Sequence, residues 1–165
     1  MRSTIEDRGA GSSSGARQFA TFFIHGFMFG VEVLHVQEVL RFQAMTRVPL
    51  ADHTVEGLIN LRGQIVMAID MRRRLEMPPR EAGRTPMNMI VRSDDGAVSL
   101  LVDEIGDVLD VDDSQFELLP DGVTPVTREL TQGVYQLKDR LLLVLDVKKA
   151  VATRGAATAS SKEAA

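Results

Sequence analysis

The chain has 165 residues, 44% of them apolar and 25% charged, with a formal net charge of −4. That length suits one domain or two small lobes sharing a core, and the slight acidic excess argues against wholesale nucleic-acid binding. Cysteine is absent, which excludes disulfides and thiol chemistry and fits a reducing compartment.

Residues 1–16 are rich in Gly and Ser. They cannot bury enough apolar surface to offset chain entropy, so a flexible tail is expected, and they lack the apolar stretch of a secretory signal. The folded body is expected over 17–151. It opens with "RQFATFFI" and "MFGVEV", where Phe29, Val31 and Val33 fall on one face at strand spacing. "VEVLHVQEVL" follows. "GLINLRG" (57–63) reads as a strand running into a turn at Gly63. In "QIVMAIDM", Ile65, Met67, Ile69 and Met71 alternate with Gln64, Val66, Ala68 and Asp70. Asp70 is placed to accept a backbone N–H and start a short helix in "MRRRL". "EMPPREAGRTP" (76–86) has three prolines and a glycine and reads as a loop between two halves.

The second half repeats the plan. "MNMIV" and "AVSLLV" are strand-like, and Asp95-Gly96 between them is a hairpin-turn signal. "RLLLVLDV" points Leu141, Leu143, Leu145 and Val147 inward, and Asp146 starts a short helix in "VKKAV". Its apolar run "LLLVL" is far too short to span a bilayer. Residues 152–165, rich in Ala, Ser and Thr, are expected as a second flexible tail.

The echo is measurable. Adding 76 to Gly57, Leu61, Ile65, Ile69 and Asp70 gives Gly133, Leu137, Leu141, Leu145 and Asp146, and maps Arg62 onto Lys138. Adding 69 to Val31, Val33, Val36, Val39 and Leu40 gives Leu100, Val102, Ile105, Val108 and Leu109, and maps Glu38 onto Asp107. One loop absorbs the difference between the offsets. Each half is therefore about five short strands with a closing helix. A sheet that small exposes its edges unless it curls. The fold class is mainly all-β: two small pseudo-repeated barrels, halves roughly 17–80 and 86–151, related by an approximate two-fold.

Nothing marks an enzyme. His25, His35 and His53 are scattered, without a pair at metal-ligand spacing. No GxSxG, P-loop or GxGxxG motif is present. Charge is more informative: residues 93–127 hold ten acids and no Lys or Arg, while 62–84 hold six arginines against three acids. Such opposed local fields orient partners. A basic patch at Arg72, Arg73, Arg74, Arg80 and Arg84 lacks the interleaved aromatics of a nucleic-acid surface.

"VEVLHVQEVL", "TRVP", "VEGLINLRGQIVMAIDMRRRL", "LLVDEIGDVLDV" and "LTQGVYQLKDRLLLVLDVKKAV" together resemble the CheW-like chemotaxis coupling proteins, over about residues 18–151. The resemblance implies two intertwined five-stranded SH3-like barrels and an adaptor without activity or cofactor. Such an adaptor bridges the cytoplasmic hairpin tip of chemoreceptors to the regulatory domain of a sensor histidine kinase. It is cytoplasmic and reaches receptor clusters at the inner membrane only through the receptors. By motif match, Val36, Glu38, Gly57, Asn60, Arg62 and Gly63 fall on the family's receptor groove; no residues are assigned to the kinase. Val36 and Glu38, two apart on a strand, are expected to share a face, and Glu38 to pair with Arg62 at the groove wall. Met67 stands where the family usually has proline, which is expected to restore a ladder donor at a sheet edge. The alternatives are a regulatory module of a kinase complex in a non-flagellar chemosensory pathway serving surface motility, and a nucleic-acid-binding small barrel.

Overall fold

A computed structural model describes residues 16–152. Apart from Ala16 and Ala152, the two expected tails lie outside those residues. The first half supplies β1 (Ala16–Ile24), β2 (Phe27–Glu32), β3 (Val36–Leu40), β4 (Val55–Leu61), β5 (Gln64–Asp70) and helix α1 (Met71–Arg74). The second supplies β6 (Met87–Ser93), β7 (Gly96–Val102), β8 (Glu104–Asp112), β9 (Phe116–Glu117), α2 (Pro125–Leu130), β10 (Thr131–Gln136), β11 (Leu141–Leu145) and α3 (Val147–Val151).

The strands form two sheets, ordered β8-β1-β2-β11-β10-β9 and β3-β6-β7-β5-β4. Pairing β1 with β6, β2 with β7, β3 with β8, β4 with β10 and β5 with β11 maps one order onto the other. The register follows. Met67 lies opposite Val98 where β5 runs parallel to β7, and Leu143 lies opposite Phe29 where β11 runs parallel to β2. Those are the partners the offsets of 76 and 69 prescribe. The irregularities repeat as well: a bulge between Val55 and Gly57 recurs between Thr131 and Gly133. Neither lobe is built from one half of the chain, because each sheet takes strands from both.

The parallel crossovers bury both faces of β5 and β11, and alternate residues serve different cores. Ile69, Leu143 and Leu145 enter the central core between the sheets, where Phe22 stacks on Phe29 at 6.0 Å. Val66 and Ala68 fill one lobe with Ile59, Leu61, Ile90 and Leu101. Leu142 and Val144 fill the other with Phe19, Val111 and Tyr135. Ile65 departs from the inward set: it is exposed, beyond the end of the central core. Met67 lies between β7 and β4, inside the sheet and not at an edge, so the expected edge effect does not arise.

The aspartates behave as read. Asp70 Oδ1 accepts the backbone N–H of Arg72 and Arg73 at the start of α1, and Asp146 Oδ1 accepts that of Lys149 in α3. The helices meet across the two-fold, where Arg74 Nε and Nη2 donate to the Ala150 and Lys149 carbonyls. Helix α2 is not among the elements expected from the sequence. Its Thr124 hydroxyl accepts the N–H of Thr127, and Pro125 occupies the first turn, where the missing N–H costs nothing.

The recurring glycine has one job in both lobes. A Cβ on Gly57 would stand 2.7 Å from the Thr46 carbonyl oxygen, and one on Gly133 2.7 Å from that of Glu117. Each glycine lets a crossing segment lie against its strand. Thr46 exchanges backbone hydrogen bonds with Leu58 at 2.9 and 2.8 Å, and Glu117 pairs with Val134.

Candidate functional site

The hairpin β4–β5 closes in two residues, Arg62 at φ 51° and Gly63 at φ 89°. Both left-handed angles belong to a type I′ turn, whose twist matches that of the strands. Glycine adopts this freely. Arginine pays a Cβ–carbonyl contact of about 1 kcal/mol. Asn60 Oδ1 accepts the Gly63 N–H at 2.9 Å and steadies the turn.

Thus raised, Arg62 reaches across the lobe. Its Nη2 donates to Glu38 Oε2 on β3. β3 and β4 are the first and last strands of the five-stranded order, so the ion pair joins the two ends of the curled sheet at one mouth of the barrel. The Arg62 side chain is 69% exposed and that of Glu38 24%. Solvent screens such a pair to ~0–1 kcal/mol of stability, so it fixes a shape more than it holds the fold. Among the described residues the counterparts, Asp107 and Lys138, form no ion pair.

The structure therefore brings Glu38, Asn60, Arg62 and Gly63 together. Gly57 is buried further along β4 beneath Thr46. Val36 does not share a face with Glu38, contrary to the alternation rule. A bulge at Gln37 pairs Val36 with Val91 and Glu38 with Ile90. One extra residue reverses side-chain parity. Val36 accordingly packs against the central core with Val91, whereas Glu38 follows Ile90 toward the lobe and Arg62.

Two further features carry no signal in the sequence. Ile65, 59% exposed, lies opposite Asn60. It continues the face that carries Met67 and Ile69 into the central core, so an apolar side chain stands beside the Arg62 turn. The second is an ionic hub. The Asp103 carboxylate accepts Arg72 Nη2 at 2.6 Å, Arg80 Nε at 3.0 Å and the His25 backbone N–H at 2.8 Å. Burial pushes its pKa up, but the hydrogen bonds from Arg72, His25 and Arg80 outweigh that and hold it at about 2. The hub ties the 76–86 loop to the β1–β2 and β7–β8 turns. No spacing rule links residues 31 apart.

Among the described residues no group of three or more His, Asp or Glu side chains is placed to hold a metal ion, and no helix is long and apolar enough to cross a membrane. What the Arg62 turn offers is a pinned cation, a carboxylate and an adjacent apolar side chain: a surface for binding, with no nucleophile or base aimed at a common point.

Residues 18–154 match the family model described as CheW-like domain. A chemotaxis protein CheW of Bacillus subtilis is 33% identical over 125 residues, covering 76% of this chain and 80% of that protein. One from Klebsiella aerogenes is 26% identical over 140 residues, covering 85% and 84%. Among solved structures, the scaffolding protein TtCheW from Thermoanaerobacter tengcongensis superposes with a TM-score of 0.76 at 24% identity, covering 84% of this chain and 94% of that one.

Proposed function

The chain belongs to the CheW-like domain family, and on that premise we propose that it is a coupling adaptor of chemotaxis-type signalling, bridging chemoreceptors to a sensor histidine kinase and catalysing no reaction itself. The receptor's helical hairpin tip docks at the Arg62 turn, with Glu38, Asn60, Gly63 and the exposed Ile65 forming the contact, while Val36 and Gly57 act from beneath by shaping β3 and β4. The kinase partner is its regulatory domain. The chain works in the cytoplasm and meets the membrane only through receptors.

One observation carries this reading. An arginine occupies the first left-handed position of a type I′ turn, where asparagine or glycine would fit without strain. It is pinned there by a carboxylate from the opposite end of the sheet. Strain kept at an exposed charge, in a pair worth little to stability, points to recognition.

A pull-down tests it. Immobilised intact chain is expected to retain both a receptor cytoplasmic fragment and a kinase regulatory domain, and to retain them together. Recovery of neither overturns the reading.

A further inference from the structure

Among the described residues, the two clefts related by the internal two-fold are filled differently. The first lies beside α1, and the 76–86 segment turns back into it. Arg80 Nε donates to Asp103 Oδ1 at 3.0 Å, and its Nη2 lies 3.6 Å from Asp70 Oδ1. Arg72 Nη1 donates to the carbonyls of Pro78 at 2.8 Å and Pro79 at 3.2 Å, clasping the segment's backbone. Beside the inserted chain lie two separate spaces, of 300 and 220 Å³, with Arg80 lining both.

The second cleft lies beside α3. By the offsets of 76 and 69, Asp146 stands where Asp70 does, Lys148 where Arg72 does, and Glu32 where Leu101 does. No segment among the described residues enters it, and it is a single cavity of 450 Å³. Arg92 and Lys148 line it. Arg92 Nη1 donates to the carbonyls of Leu34 and Val36, and Lys148 lies 3.5 Å from Asp94. Glu32 and Asp146 also line it. Neither makes an ion pair among the described residues. Leu34, 82% exposed, takes the place of Asp103 in the repeat.

We propose that this open cleft is a docking pocket for an arginine-bearing segment of a partner protein, seated as Arg80 is seated in the first. Two carboxylates that make no ion pair among the described residues line a space that, in its duplicate, accommodates a guanidinium and the backbone leading to it. Asp146 supplies the carboxylate that Asp70 supplies to Arg80, and Glu32 replaces the one lost at Leu34. None of Glu38, Asn60, Arg62, Gly63 and Ile65 lines the pocket, and the proposal does not depend on the receptor reading.

The chain's own loop sequence, as the free peptide LEMPPREAGR (residues 75–84), is the probe. Titrated into the intact ¹⁵N-labelled chain, it is expected to shift the amides of Glu32, Leu34, Asp94 and Lys148 saturably. The same peptide carrying Arg80→Gln is expected to bind roughly tenfold more weakly. In the chain, Glu32→Gln and Asp146→Asn should each weaken binding by a similar factor. Asp146→Asn keeps a side-chain oxygen to cap α3, so unchanged circular dichroism separates loss of binding from loss of fold. Shifts insensitive to the peptide's arginine overturn the proposal. So does the absence of saturable shifts at millimolar peptide, whether the pocket takes nothing or another segment of the chain already fills it.

Discussion

Replacing Asp103 by Asn should destabilise the fold more than any single surface change, because it removes the anion on which two half-buried guanidinium groups converge. Arg72, Arg80 and Asp103 have side chains only 13–14% exposed, so water screens them weakly. The depressed pKa gives one measure. A carboxyl at about 2 in the fold, against 3.8 without it, corresponds to about 2 kcal/mol held by the ionised form. Breaking a fully buried pair from one side costs about 3–5 kcal/mol, but here Asp70 stays within reach of Arg80 and the asparagine retains one acceptor. The expected loss at neutral pH is therefore about 2–4 kcal/mol. In urea, with a slope of about 2 kcal/mol/M, the midpoint falls by roughly 1–2 M. The pH dependence checks the cause. Because the folded pKa is depressed, the contribution is complete above about pH 4 and is lost as pH falls toward 2. Wild type should thus lose more stability than Asp103→Asn across that window. A loss below about 1 kcal/mol at neutral pH, or parallel acid titrations of the two proteins, would refute the reasoning.

Arg62→Asn should leave stability unchanged or raise it by up to about 1 kcal/mol, since asparagine before glycine suits a type I′ turn and the lost pair is screened; thermal melts read the stability, and a parallel receptor-fragment titration should show weakened binding. A clear destabilisation would mean the arginine is there for the fold. Gly57→Ala should cost about 1–3 kcal/mol by driving Thr46 off β4, seen as faster amide exchange at Thr46 and Leu58. Gly133→Ala should do the same at the β9–β10 pairing, and unchanged exchange in both would contradict the shared role of the two glycines.

Much of this architecture is legible because duplication makes the sequence confirm itself. Asp70 and Asp146 can be read as helix starts since the side chain alone dictates the cap. Gly63 can be read as a turn since few residues tolerate its backbone angle. The Glu38–Arg62 pair was expected and forms. Parity across β3 was not legible, because the extra residue at Gln37 changes pairing without changing composition. Helix α2 escaped because six residues give too little periodicity, although Thr124-Pro125 was a usable start signal. Strands β5 and β11 show why single-face alternation misleads: with helices or a second core on either side, both faces are apolar and only the structure divides them. The hub at Asp103 joins distant turns, and a lone Asp among many acids carries no mark of it.

The proposed coupling role requires the chain to hold the kinase while it is docked on the receptor through the Arg62 turn. Co-sedimentation with receptor-bearing membranes, with and without the kinase, tests this most directly when wild type is compared with Arg62→Glu. Wild type should sediment with the membranes and carry the kinase down, while Arg62→Glu, with unchanged circular dichroism, should leave both in the supernatant. Equal sedimentation of the two proteins, or membrane binding by wild type that never brings the kinase, would contradict it.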